Sequence, residues 1–173
     1  ANVTVNCDYI GGGFGSKFAA DEWGIASAIL AKETGHPVQL HLDRATELQT
    51  AGTRPSGFAN VKIGAKSDGT IVAWDSHHWG TNGIRGGTVS QVPYVIHPEN
   101  RRVRTTGIVT NTGPSRAWRA PNHPQACALT CTAIDDLAAA LGMDPLDVFM
   151  KNVGLTTGSA SKTPQEVYSA ERE

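Results

Sequence analysis

A glycine-rich loop between a strand pattern and a helix pattern is the feature that most restricts how this chain can fold. The sequence GGGFGSKF occupies residues 11–18. Residues 3–10 before it alternate as a half-buried strand does, and residues 21–34 after it carry apolar side chains at helical spacing. Glycine lets a ligand approach the main chain, and a helix N-terminus attracts anions. The loop therefore indicates either a binding site for an anionic ligand or a tight turn that packs the strand against the helix.

The known phosphate-binding patterns fit this loop poorly. A Walker loop has a glycine before its lysine and Ser or Thr after it, whereas Ser16 precedes Lys17 here and Phe18 follows. A dinucleotide-binding pattern begun at Gly11 places Ser16 at its last glycine, and Asp43 lies about 27 positions further on instead of about 20. These residues leave a phosphate- or nucleotide-binding module open as one alternative.

The periodicity of the whole chain predicts a mixed α/β fold. Residues 38–43 alternate again, so the first 43 residues read as a strand, a loop, a helix and a strand, which is a βαβ unit. A hairpin-rich part and a C-terminal helix pair follow, with strands at 58–65, 70–80 and 101–111 and helices at 126–141 and from 145. Asp144 is the predicted N-cap of the last helix and Pro145 its first residue.

The length and composition fit one domain, or one and a half, of an ordinary soluble protein. The chain has 173 residues with 39% hydrophobic residues and a net charge of −1. We assign residues 1–154 to one partial domain and residues 155–173 to a polar tail, in which a capping box at 163–166 predicts a further short helix. No basic stripe points to nucleic acid and no apolar run is long enough to span a membrane. No signal peptide is visible, and the compartment stays open.

The cysteines and histidines give little indication of a functional site. Three cysteines build no disulfide framework, and Cys127 and Cys131 share a helix face as buried thiols. His77 and His78 are neighbours in a predicted strand and point to opposite faces, so we expect one exposed and one packed side chain. His123 is the one histidine that we expect to have a functional role.

A second loop, SRAWRAPNHPQ at residues 115–125, leads directly into the predicted helix at 126–141. It carries Arg116 and Arg119, whose planar guanidinium groups suit phosphate or a carbonyl-rich ring. The alternative is that both are surface arginines beside a proline-stiffened turn.

Together the two loops resemble a known family. GGGFGSK at residues 11–17 and AWRAPNHPQ at 117–125 resemble the molybdopterin-binding large subunit of the molybdenum hydroxylases, the xanthine dehydrogenase and aldehyde oxidase family. That family has a GGGFGGK-like loop and an FRG- or MRAPG-like loop that ends in Gln. AIDDLA at 133–138 and GMDPL at 142–146 resemble its IDELA and LGMDPLE stretches. The resemblance spans residues 1 to about 154.

The resemblance implies which residues contact the cofactor. It gives as cofactor-binding residues Gly12, Gly13, Phe14, Gly15, Arg119, Ala120 and Gln125. It gives as substrate-pocket residues Phe14, Phe18 and Trp118. The family's catalytic base is a glutamate in a Gly-x-Gly-Glu segment, and nothing in this sequence matches that segment. We therefore assign no catalytic residue and no metal ligand to this chain.

Departures from the family pattern restrict the expected substrate. Ser16 replaces a common glycine, and Phe18 stands where purine-oxidising relatives have a glutamate that holds the substrate ring. The resemblance implies an oxidoreductase that hydroxylates an aldehyde or an N-heterocycle-type substrate. It also implies molybdopterin with molybdenum, with the cytosine dinucleotide form left open. The expected partners are the remainder of the large subunit and chains or domains with iron–sulfur clusters, with FAD on those partners left open. We expect the isolated chain to be inactive, and a non-catalytic structural fragment is a further alternative.

Overall fold

The computed structural model describes residues 3–89 and 91–156. In chain order the elements are α1 (Asp21–Thr34), α2 (Arg44–Thr50), β1 (Gly57–Ala65), β2 (Ile71–Thr81), β3 (Asn100–Ile108), α3 (His123–Leu141) and α4 (Pro145–Lys151), followed by a 3₁₀ turn (Val153–Leu155). The predicted mixed α/β class is confirmed. The predicted tail beyond residue 156, with its capping box at 163–166, lies outside the described residues.

The sheet has the order β1-β2-β3 and is mixed. β1 and β2 are antiparallel and β2 and β3 are parallel. The hairpin turn between β1 and β2 closes through Lys66, whose N–H donates to the Thr70 carbonyl at 2.9 Å, and Gly69 has the left-handed φ of 87° that this turn needs. The predicted hairpin is thus confirmed.

The hydrophobic core lies between the sheet and the two C-terminal helices. Ile134 and Ala138 on α3 and Val148 on α4 are fully buried with Trp74 and Ile71 of β2. Alternate β2 residues face this core, as the pleat of a strand requires. Of the two histidines, His78 is fully buried as expected, whereas His77 on the other face is half-buried instead of exposed.

Both predicted helix boundaries at the C-terminal pair are confirmed. Gly142 has a left-handed φ of 67°, and its N–H donates to the Ala138 and Ala139 carbonyls at the end of α3. The Asp144 carboxylate accepts from the Leu146 N–H at 2.8 Å, so Asp144 caps α4 ahead of the proline at its first position.

The predicted βαβ unit is wrong. The helix is present as α1, but residues 3–10 and 38–43 form no strand within the described part of the chain. A strand exists only where a neighbouring strand pairs with its backbone. Val3, Val5 and Ile10 are instead exposed, and α1 has no buried residue. The alternating pattern in the sequence is real, but the described chain has no partner for it.

Within residues 3–89 and 91–156, no single helix is long and apolar enough to cross a membrane. α3 and α4 satisfy the length and composition requirement only as a pair, and they are bent by 108° relative to each other.

Candidate functional site

The two loops singled out in the sequence are in direct contact. The Arg119 N–H donates to the Phe14 carbonyl at 2.6 Å, which joins the centres of both loops. Beside this bond, a Cβ at residue 15 would lie 2.8 Å from the Ala117 carbonyl oxygen, and Gly15 has φ 98°. Only glycine meets both conditions at this position. The close approach that the glycine pattern indicated is therefore, at Gly15, an approach of one loop to the other.

Three amide groups of the glycine loop have no hydrogen-bond acceptor within the described residues. Ser16 is buried and closes the turn, with its N–H and its hydroxyl both donating to the Gly13 carbonyl at 2.9 and 3.1 Å. Within the described residues, no hydrogen bond is donated by the amides of Gly12, Gly13 or Phe14. A Cβ placed on Gly11 would meet nothing within 4 Å. This side of the loop therefore offers unpaired donors to a ligand with acceptor atoms.

The Arg119 loop is held from behind by an arginine that the sequence reasoning did not assign to the site. Arg54 donates from Nη2 to the Arg119 carbonyl at 2.6 Å and from Nη1 to the Ala120 carbonyl at 3.4 Å. Ala120 has the uncommon φ of 55°, and Asn122 has φ 66°. The sequence carries no local signal for this contact, because Arg54 and Arg119 are 65 residues apart.

Phe14 and Arg119 form one exposed surface. The Arg119 guanidinium carbon is 5.9 Å from the centre of the Phe14 ring, a cation–π distance. The Phe14 side chain is 58% exposed in spite of its size. An exposed aromatic ring held by a neighbouring cation and a left-handed backbone is suited to contact a partner or ligand outside the described residues.

The other predicted pocket residues are placed apart. Phe18 is 83% exposed. Trp118 is half-buried and, with Arg54 and Asn82, lines a cavity of about 320 Å³ behind the second loop, which neither Phe14 nor Phe18 lines. The described residues thus do not by themselves bring the three aromatic side chains into one enclosed pocket.

Gln125 and His123 lie at the first turn of α3. Gln125 donates from Nε2 to the Pro55 carbonyl at 2.7 Å, which fixes the entry to β1. Its side-chain oxygen is buried and has no hydrogen-bond partner among the described residues. His123 is exposed and packs edge-on against Tyr94, with ring centres 5.5 Å apart.

Arg116 is neither a free cation nor a surface side chain. Its Nη1 lies 2.5 Å from Asp21 Oδ1, and its side chain is 22% exposed. The Asp21 hydrogen bond raises the pKa of Arg116 above its ordinary value, so the charge is permanent. The alternative of an anion-binding Arg116 is therefore not favoured by its geometry, because its charge is already paired.

Cys127 and Cys131 share a helix face as expected, but both are half-buried instead of fully buried. Cys127 Sγ and Cys131 Sγ are 3.7 Å apart on one face of α3. Burial and the neighbouring Cys127 thiol raise the pKa of Cys131 to about 11, so it is protonated at neutral pH. In the described portion of the chain, no group of three His, Cys, Asp or Glu side chains is arranged to hold a metal ion.

Two loops that are distant in sequence meet in this mixed α/β domain, and several of their backbone amides donate no hydrogen bond within the described residues. Such amides suit a ligand with acceptor atoms, as in a cofactor-binding domain. Comparison with known families is specific: residues 1–153 match the molybdopterin cofactor-binding domain family, and the chain belongs to that family. The resemblance to the molybdenum hydroxylases stated from the sequence is confirmed.

Individual relatives are consistent with this membership. The chain is 30% identical to aldehyde oxidase 2 of Mus musculus over 88% of the chain and 12% of the relative. It is also 30% identical to the aldehyde oxidoreductase molybdenum-binding subunit PaoC of Escherichia coli strain K12 over 87% of the chain and 21% of the relative. A solved aldehyde oxidoreductase of Desulfovibrio gigas matches with a TM-score of 0.70 and 28% identity, over 94% of this chain and 20% of that one. The chain thus spans about a fifth or less of the length of these proteins.

Proposed function

We propose that this chain forms one wall of the molybdopterin site in the molybdenum-binding subunit of an oxidoreductase that hydroxylates an aldehyde or an N-heterocycle. The observation that carries the proposal is the hydrogen bond from the Arg119 N–H to the Phe14 carbonyl, because it joins the two loops to which the family resemblance assigns the cofactor contacts. In this proposal the cofactor contacts come from residues of both loops, namely Gly12, Gly13, Phe14, Gly15, Arg119, Ala120 and Gln125.

The donor set of the glycine loop fits the cofactor. Molybdopterin carries a phosphate and a ring system with several acceptor atoms, and the amides of Gly12, Gly13 and Phe14 are unpaired within the described residues. The exposed guanidinium of Arg119 adds a cation with a planar fork of donors. When bound, the cofactor supplies the redox chemistry at molybdenum. The residues of this chain bind and orient it.

The substrate side of the proposal rests on aromatic side chains. Phe14 and Phe18 are both exposed, which leaves them free to form a wall against the rest of the subunit. Phe18 has no charge to pair with a purine ring, so an apolar aldehyde or heterocycle suits it better. Two of the relatives are named aldehyde oxidase or aldehyde oxidoreductase, which favours the aldehyde.

The remaining parts of the enzyme lie outside this chain in our proposal. They comprise the rest of the molybdenum-binding subunit with its catalytic base, and iron–sulfur clusters and FAD on partner chains or domains. Three cysteines at these spacings do not match a ferredoxin-type cluster site. We propose the cytosine dinucleotide form of the cofactor as the variant to be tested first by mass spectrometry of the extracted pterin.

The test of the proposal is cofactor retention in the whole subunit that contains this chain. We expect Arg119→Ala to lower the molybdenum and pterin content per protein at least about tenfold, because a charged hydrogen bond is worth about 1.5–3 kcal/mol. Gly13→Val is expected to lower the content by a similar factor, because a Cβ at residue 13 would lie 3.0 Å from the Lys17 Cβ and the added side chain would crowd the loop. Metal analysis and pterin fluorescence after gel filtration measure the content.

Matched controls use the same changes away from the loops. Arg85→Ala removes an exposed arginine, and Gly154→Val adds a side chain where nothing lies within 4 Å of a Cβ. Both are expected to leave the cofactor content unchanged. Normal molybdenum and pterin content in both loop variants would overturn the proposal, as would a wild-type subunit that retains neither.

A further inference from the structure

Arg116 lies where the glycine loop, the start of α1 and the second loop come together. Its Nη1 is 2.5 Å from Asp21 Oδ1 and 3.4 Å from the Ser16 carbonyl oxygen to which it donates. The Arg116 guanidinium carbon is 5.6 Å from the centre of the Trp23 ring. One side chain from the second loop therefore contacts the glycine loop and the first turn of α1 at the same time.

Arg116 makes contacts at its backbone as well as along its side chain. A Cβ on Gly52 would overlap the arginine side chain, and the Arg116 N–H donates to the Thr53 carbonyl at 3.0 Å. Gly52 has φ 84°, so both the space and the backbone conformation require glycine there. The arginine is thus fixed at its backbone, along its aliphatic stem and at its guanidinium group.

The carboxylate that Arg116 meets is also constrained. The Asp21 side chain is only 8% exposed, and its second oxygen, Oδ2, is buried with no hydrogen-bond partner among the described residues. Asp21 has φ 57°, and no side-chain cap precedes it at Ala20. α1 therefore begins without the usual N-cap, at a strained residue whose carboxylate is stabilised by Arg116.

We infer that Arg116 is a positioning residue of the cofactor site: its ion pair with Asp21 holds the glycine loop in register with the Arg119 loop, and cofactor retention depends on that register. The inference rests on the proposed function. Arg116 itself does not contact the cofactor, because its charge is paired and its side chain is largely buried. The exposed donors of Gly12, Gly13 and Arg119 make the contacts, and Arg116 sets the distance between them.

The ion pair makes the position of the glycine loop depend on the second loop more strongly than a packing contact would. Removing Arg116 leaves a nearly buried carboxylate without a counter-charge, which is far more costly than losing an exposed ion pair. We expect the glycine loop to move away from the second loop to rehydrate Asp21. The Phe14–Arg119 hydrogen bond, which is made by the same two loops, would then be lost together with the ion pair.

A double-mutant cycle in the whole cofactor-loaded subunit tests this inference. Arg116→Gln and Asp21→Asn are each expected to speed the loss of pterin and molybdenum during dialysis about ten- to a hundredfold, the range that corresponds to a charged hydrogen bond. The double variant is expected to be no worse than the more severe single variant, because both remove one interaction. Arg116→Lys, which keeps the charge but not the planar fork, is expected to be intermediate.

Two controls separate positioning from general stability. Arg102→Gln breaks an exposed pair with Asp75 on the sheet, and Ile134→Val weakens the core. Neither is expected to change the release rate, even where the melting temperature falls. Unchanged release in both single variants, additive effects in the cycle, or equally fast release in Ile134→Val would each overturn the inference. A wild-type subunit without cofactor would instead overturn the proposed function itself.

Discussion

At the scale of a single residue, the buried histidine of the central strand β2 makes the stability of the chain depend on pH. His78 is fully buried, and neither ring nitrogen has a hydrogen-bond partner among the described residues. Burial, with a smaller contribution from His77, lowers the pKa of His78 below its ordinary value of 6.5. The unfolded chain therefore binds this proton at a higher pH than the folded chain does. Stability from the neutral imidazole is complete above pH 6.5 and decreases as the pH falls below it.

We expect the free energy of unfolding to decrease below pH 6.5 by at most about 1.4 kcal/mol per pH unit for this one proton. Urea titrations of the wild type and of His78→Gln between pH 5 and pH 8 measure the slope. His78→Gln should remove it, whereas His77→Gln, which changes the half-buried neighbour, should retain it. An identical slope in the wild type and His78→Gln would contradict the assignment.

Among the secondary-structure elements, the end of α4 is joined to the β1–β2 hairpin by hydrogen bonds of a single residue, Asn152. Asn152 is 5% exposed, accepts from the Ile71 N–H, and donates to the Gly69 and Val148 carbonyls, each at 2.8 Å. These bonds connect the end of α4 to the turn between β1 and β2. We expect Asn152→Ala to destabilise the chain by about 2–4 kcal/mol, since it leaves buried backbone groups unpaired.

The matched comparison is the cap of the same helix. Asp144→Ala removes one exposed hydrogen bond to the Leu146 N–H and is expected to cost about 1 kcal/mol. Urea unfolding followed by circular dichroism measures both variants. A cost for Asn152→Ala no greater than that for Asp144→Ala would show that water replaces the asparagine in the mutant.

Elements were predictable from sequence where their signals are local. The α3–α4 boundary follows from Gly142 and from Asp144 with Pro145, and the hairpin follows from its turn residues, because each signal acts within a few residues. The strands predicted at 3–10 and 38–43 do not form in the described chain, because an alternating pattern does not show whether a partner strand is present.

The same distinction between local signals and long-range contacts applies to the candidate site. The glycine pattern indicated a close approach, but only the structure shows that the Ala117 carbonyl is what Gly15 approaches. Arg54 and the Arg116–Asp21 pair depend on contacts between distant segments, so no local pattern could identify them. The family, in contrast, could be identified from sequence because two specific motifs occur together.

Stability is distributed unevenly over the whole molecule. Among residues 3–89 and 91–156, every large apolar side chain that is buried lies beyond residue 50, whereas Ile25, Ile29 and Leu30 of α1 are all about half exposed or more. We expect Ile134→Ala to destabilise the chain by about 2–5 kcal/mol and Ile29→Ala to change its stability by less than about 0.5 kcal/mol. Urea midpoints of the two variants measure the difference, and equal losses would show that α1 packs on the core in solution.

The contact between the two loops also sets an order of events during folding. The hydrogen bond from Arg116 to the Ser16 carbonyl joins residues 100 positions apart, and closing so long a segment is entropically unfavourable until the intervening hairpin and α3 have shortened it. Nascent chains would thus complete their core first and bring the glycine loop to Arg119 last. In the proposed function the cofactor contacts both loops, so it would be captured only after the two loops have come together, and its insertion would mark the end of maturation.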